Sequence, residues 1–315
     1  MKISLYSITY AGIWYKGPAL SFEDFVMRAK SYGYSGIELD GKRPMGSPLD
    51  LDRPAREKMR NFLARQGIEI AAVAGNNDFS SPIPEHRECQ LLMVREQARL
   101  AADLGARVVR LFVAWPGVVL RDGLATYDLV RGDYYTLERQ YPFATRLERW
   151  NFVKECLKEA ASYGEEFGVT MALQNHSPLI RNWKDCYDLV KEVNSPWLQF
   201  CLDLPNMHDN ADETAVQQAV QAVGRGQVHS HFGGEYYRDA EGRVQPKALG
   251  YGGCPPDYGL FLRLMQQAGY DGYFSFELCH PVLNEAHEYQ GLEYVDQQAQ
   301  LAQEYMQNLF NENLK

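Results

Sequence analysis

Eight short runs rich in β-branched and aromatic residues recur along the chain with helical segments between them, and no other feature limits the fold as strongly. They span 2–8, 36–40, 68–75, 107–115, 168–176, 198–204, 226–232 and 272–278. The intervening segments carry helix punctuation. Ser21, with Glu23 and Asp24 behind it, opens one that Gly33 closes, and Pro54 opens another that Gly67 closes. Segments 84–105 and 146–168 place apolar residues at three- and four-residue steps. No Pro/Ser-rich linker or composition shift divides the chain. One closed (β/α)8 barrel, a TIM barrel filling residues 1–315 as a single domain, is therefore expected rather than two doubly wound domains.

With 315 residues and 45% of them hydrophobic, the chain is long enough to bury a large core. Its net charge of −9 argues against nucleic acid as a partner, which would need clustered Lys and Arg. No segment supplies a signal-peptide core or the roughly 20 apolar residues of a membrane span, so a cytoplasmic protein without membrane contact is expected. Cys89, Cys156, Cys186, Cys201, Cys254 and Cys279 are widely spaced without a C-x-x-C pair and read as buried thiols.

Two connections are long for βα loops: about 115–145, with Trp115, Tyr127, Tyr134, Tyr135 and Tyr141, and about 232–256. Both follow strand C-termini, the face where such barrels place their sites, so they are expected to wall or cover a pocket. Contact with a second copy of the chain, giving a homo-oligomer, is the alternative use.

Side chains alternate along a strand, so Gln174 and His176 in "TMALQNH" share a face. The same alternation brings Asp203, the pair His229 and His231, and Glu277 to the ends of the next three strands. Each alone has a structural explanation, such as helix capping by Asp203. Four consecutive strands delivering carboxylate, imidazole or amide to one rim is harder to explain so, because charges inside a barrel are costly unless paired or bound to metal. An oxygen-rich set with one imidazole suits one divalent ion, Mn2+, Co2+, Mg2+ or Zn2+. No Cys is counted in the set.

The motifs "GYSGIELDG", "CLDLPN", "VHSHFGGEYYRD" and "GYDGYFSFELCHP", in that order, resemble the sugar phosphate isomerase/epimerase superfamily with the xylose-isomerase-like barrel over nearly the whole chain. The resemblance implies that Asp203, His231 and Glu277 are metal ligands, with His229 deeper as a neighbouring or substrate contact. It also implies that Asn206 and Arg238 reach the substrate. Glu38, ending the second strand, is expected to face the pocket, and Trp115 to stack on a sugar face. Members that cut nucleic acid carry further His ligands in the early strands; here those strands end in "IELD" and "VAGN".

The chain departs from the resemblance at Gln174, where the family's strand usually ends "LENH". An amide can offer its oxygen to a metal but cannot accept a proton at ordinary pH, so Gln174 is expected as a neutral ligand. The implied activity is a metal-dependent isomerase or epimerase acting on a small sugar, keto-sugar or cyclitol through an enediolate. Glu277 would be the base, with His176 or Glu38 as its partner. A lyase or hydratase step on a keto-sugar or 3-keto-glycoside, using one base, is the first alternative. A non-catalytic sugar-binding barrel with a degenerate site is the second.

Overall fold

The computed structural model describes residues 1–115, 117–126, 141–247 and 256–314. All eight expected strands form: β1 (Lys2–Tyr6), β2 (Gly36–Asp40), β3 (Glu69–Ala74), β4 (Val108–Leu111), β5 (Thr170–Gln174), β6 (Leu198–Cys201), β7 (Ser230–Gly233) and β8 (Tyr273–Glu277). Neighbours pair in parallel in the order β6, β5, β4, β3, β2, β1, β8, β7. The two ends of that sheet meet through a parallel bridge between Phe200 and Gln227, with Val228 N–H donating to Phe200 O at 3.0 Å, and this closes the barrel.

Eight helices among the described residues follow the strands: α1 (Phe22–Ser31), α2 (Arg53–Gln66), α3 (Pro84–Leu104), α4 (Arg146–Phe167), α5 (Trp183–Val193), α6 (Glu213–Val223), α7 (Tyr258–Gln267) and α8 (Leu292–Asn313). Their ends follow the punctuation. Ser21 Oγ accepts from Asp24 N–H at 3.1 Å to start α1, and a reciprocal Thr145–Glu148 capping box starts α4. Gly67, Gly105 and Gly168 end α2, α3 and α4 with left-handed φ near +69°, +85° and +68°, where a Cβ would be strained. None of the described helices is long and apolar enough to cross a membrane.

Alternation along the strands sorts the barrel into two faces. Ile37, Leu39, Val73, Val109, Leu111, Met171, Leu173, Phe232, Phe274 and Phe276 belong to the main core shared with the helices. On the inner face Ala72, Val108, Ala172 and Cys201 form a separate small apolar cluster. Two residues further along those inner rows, toward the C-terminal ends, the side chains turn polar: Arg110, Gln174 and Asp203.

Both long connections contain hairpins that the sequence did not announce: Val119–Arg121 with Leu124–Thr126, and Tyr236–Arg238 with Val244–Pro246. Tyr127, Tyr134, Tyr135 and Cys254 lie outside the described residues. Tyr141 is buried with its hydroxyl 3.3 Å from His86 Nδ1, so it packs in the helix layer. Of the other thiols, Cys156, Cys186 and Cys201 are buried as expected, whereas Cys89 is exposed on α3 and Cys279 is half-buried just past β8.

Candidate metal and substrate site

At the C-terminal end of the barrel, the inner-facing residues of seven strands converge. Glu38, from β2, is fully buried and accepts from three sides: His231 Nε2 at 2.7 Å, His229 Nε2 at 2.9 Å and Arg110 Nε at 3.3 Å. Burial opposes ionisation of this carboxyl, but His231 and His229 outweigh it and hold the group well below the ordinary carboxylate range. Glu38 thus points into the barrel interior, below the cavity whose lining it was expected to join.

Asp203 lies two residues beyond β6, where backbone contacts fix it. Its N–H donates to Asn175 Oδ1 at 2.8 Å, and Asn175 Nδ2 donates to its carbonyl at 3.1 Å. Asn175 faces away from the inner row and acts as a clamp between β5 and β6. The Asp203 carboxylate accepts from His231 N–H at 2.7 Å and from His231 Nδ1 at 2.9 Å. Burial would raise its pKa, and His231 with Gln174 reverses that.

His231 therefore spans two carboxylates, with a ring nitrogen on each. Both nitrogens donate, which makes the ring an imidazolium. Burial alone would depress its pKa, yet Glu38 and Asp203 raise it well above the usual histidine value. His229, 4.9 Å from it between ring centroids, is driven the other way by burial and is neutral. Its Nδ1 is buried with no hydrogen-bond partner among the described residues.

These donors fit a cation. Single ligand atoms of Glu38, His229 and His231 lie within 4.8 Å of one another, and so do those of Cys201, Asp203 and His231. Oxygen and imidazole nitrogen dominate both groups, donors suited to a divalent ion. Because Glu38 faces His231 Nε2 and Asp203 faces its Nδ1, one ion would take one of these groups and replace the proton on that nitrogen alone. One correction to the sequence reading follows. Cys201 stands beside the set, its Sγ 3.5 Å from Asp203 Oδ1, because it precedes Asp203 by two residues on the same inner row.

The amide of Gln174 is oriented differently from the expected ligand geometry. Its Oε1 accepts from Arg110 Nη1 at 3.2 Å, while its Nε2 donates to Asp203 Oδ2. Arg110 was not singled out in the sequence, although a charged residue in the apolar run "VVRLF", two beyond Val108, belongs to the inner row. Its side chain is 1% exposed, donates to Tyr6 Oη at 2.9 Å, and lies 4.4 Å from the Phe112 ring centroid.

A cavity opens above this layer, lined by Arg110, Trp115, Gln174, His176 and Glu277 and by Lys42 and Asn76. Gly233, paired with Glu277, admits that residue closely: a Cβ there would meet the Glu277 carbonyl oxygen at 2.7 Å. Burial raises the Glu277 carboxyl above its ordinary range, opposed by His231 and reinforced by Asp203. His176 Nδ1 donates to the Ser177 carbonyl at 2.6 Å, which keeps that proton away from the cavity. Trp115 stacks on Phe112 with centroids 5.0 Å apart and meets His176 edge-on at 5.2 Å. Asn206 sits half-buried in the 3-10 turn after Asp203, outside the cavity lining. Arg238 is not brought to the site. Its hairpin turns it to the outer helix α8, where Nη2 pairs with Glu304 at 2.7 Å. Lys42 and Asn76 were missed; Lys42 Nζ lies 3.8 Å from the buried Asp40 carboxylate.

A family model described as a xylose isomerase-like TIM barrel matches residues 26–305. No curated protein matches the chain significantly. Similar solved structures include a D-psicose 3-epimerase with D-tagatose from Clostridium cellulolyticum H10, with 16% identity, 98% of this chain and 99% of that one covered, and TM-score 0.72. An IOLI protein with a bound zinc atom shows 16% identity over 100% of both chains, with TM-score 0.70. The 3-keto-D-glucoside 4-epimerase of E. coli shows 18% identity over 96% and 99%, with TM-score 0.65. At these identities the likeness speaks for the fold.

Proposed function

From the premise that the chain belongs to the xylose isomerase-like TIM-barrel family, we propose that it is a metal-dependent epimerase or isomerase of a keto-sugar or cyclitol, acting through an enediolate. The observation that carries this reading is Glu277 in the cavity wall together with two buried donor groups that share His231, one with Glu38 and His229 and the other with Asp203 and Cys201, either of which offers donors for a divalent cation. Mn2+, Co2+, Mg2+ and Zn2+ all suit such donors.

When bound, the metal polarises a substrate carbonyl and its neighbouring hydroxyl. The protein does the rest. Glu277 takes the proton from the carbon beside the carbonyl, and its raised pKa lets it hold that proton. His176 lines the same cavity and is the proposed donor of a proton to the other face, its Nδ1 proton being committed to Ser177. Trp115 offers an apolar face for the sugar's C–H groups. The related proteins whose names specify D-psicose, D-tagatose and 3-keto-D-glucoside define the first substrates to try.

The test is product analysis by NMR with a ketohexose and 3-keto-glycoside panel, on protein reconstituted with each metal. A new epimer or aldose–ketose pair supports the reading. Release of a leaving group instead supports a lyase, a second reading favoured by one observation: Glu277 is the one carboxylate among the described residues that lines the cavity.

A further inference from the structure

We infer that Gln174 is a positioning residue, held with its oxygen on Arg110 so that its NH2 group braces Asp203, and that it supplies no ligand to the metal. This rests on the metal site proposed above and assigns its ligands to the other strand ends.

Arg110 can only donate. Its guanidinium is fixed by Glu38 Oε1 at 3.3 Å, Tyr6 Oη at 2.9 Å and Gln174 Oε1 at 3.2 Å, with the Phe112 and Tyr6 rings 4.4 Å and 5.2 Å away. Asp203 faces donors on both carboxylate oxygens, the His231 N–H at 2.7 Å on Oδ1 and the His231 ring Nδ1 at 2.9 Å on Oδ2, and so stands as an acceptor. A side chain bridging a donor-only and an acceptor-only group needs one accepting and one donating end, and an amide has both. Reversing the amide would set NH2 against the guanidinium and oxygen against the carboxylate. Turning Oε1 toward a cation shared with Asp203 would leave a buried guanidinium N–H without its acceptor, a costly loss. A Glu here would satisfy Arg110 but set a second carboxylate against Asp203. The amide at position 174 is thereby accounted for without metal coordination, and the strand-end donors left for a cation are those of Glu38, His229, His231, Asp203 and Cys201 and the Glu277 carboxylate.

The experiment uses full-length protein stripped of metal and titrated with Co2+, whose visible absorption reports the ligands it holds. Gln174→Met should weaken Co2+ binding about tenfold, as expected for a hydrogen-bond partner of a ligand, and leave the band positions and intensities unchanged. A changed band pattern in that variant means a ligand was lost and overturns the inference. Metal-free urea unfolding gives an independent reading. The combined Gln174→Met and Asp203→Ala variant should lower the urea midpoint by less than the sum of the two single changes, because each removes the same hydrogen bond. Strict additivity overturns the inference. A parent protein that binds no Co2+ sinks the proposed function, and the unfolding comparison then decides the bridge between Arg110 and Asp203 by itself.

Discussion

Glu38 Oε2 lies 2.7 Å from His231 Nε2, a contact that joins the end of β2 to the end of β7 across the barrel interior. The two strands are separated in the sheet order by β1 and β8, so this pair is a cross-brace rather than a neighbour contact. It also explains how two buried carboxylates and an imidazole tolerate one environment: each charge has its opposite within hydrogen-bond distance.

Removing one partner of that brace should be costly. Glu38→Gln leaves a buried imidazolium and the Arg110 guanidinium without their shared carboxylate, and breaking a buried pair in this way costs about 3–5 kcal/mol. Urea unfolding of the metal-free variant checks this, and a loss below about 1 kcal/mol would mean the pair is no stronger than a surface one.

Metal affinity should rank the strand-end residues. Asp203→Ala should lose more than the about 10–100-fold that a ligand's hydrogen-bond partner is worth. His231→Ala should weaken binding more than His229→Ala, since His231 belongs to both donor groups. Isothermal titration with Mn2+ or Co2+ gives the order; the reverse ranking would place the metal one step deeper in the barrel.

The barrel and much of its site were legible because two simple periodicities carry them. Alternation in "TMALQNH", "QFCLD", "VHSH" and "YFSFE" brought Gln174, Asp203, His231 and Glu277 to one rim, and the structure gathers them there. The same rule applied to "VVRLF" would have found Arg110, and applied to "CLD" would have placed Cys201 beside Asp203. Attention to the strand's polar end alone passed over both. Arg238 was beyond reach: a hairpin between Tyr236–Arg238 and Val244–Pro246 decides where it points, and its partner Glu304 is 66 residues away. The orientation of Gln174 was hidden for the same reason, since it depends on a guanidinium 64 residues earlier.

Arg238→Ala should therefore leave kcat and KM of the catalysed reaction within about twofold and the urea midpoint nearly unchanged, since an exposed ion pair contributes little. A large rise in KM would bring this residue back to the substrate.

Trp115→Ala should act on binding. Loss of an aromatic contact worth about 0.5–1.5 kcal/mol raises KM by at most about tenfold, with kcat little changed. Steady-state kinetics separates the two, and a fall in kcat alone would assign Trp115 to proton delivery beside His176 instead of to the wall.

Glu277 as the base that removes a proton from the carbon beside a metal-polarised carbonyl predicts deuterium entry at that carbon of a ketohexose in D2O, read by NMR with metal-loaded parent and Glu277→Gln proteins. The parent should exchange the proton, and the variant should be slower by about 10²–10⁴-fold, the contribution of a positioned general base. Conversion of substrate by the parent without any deuterium entering, or equal exchange in the two proteins, would contradict the account.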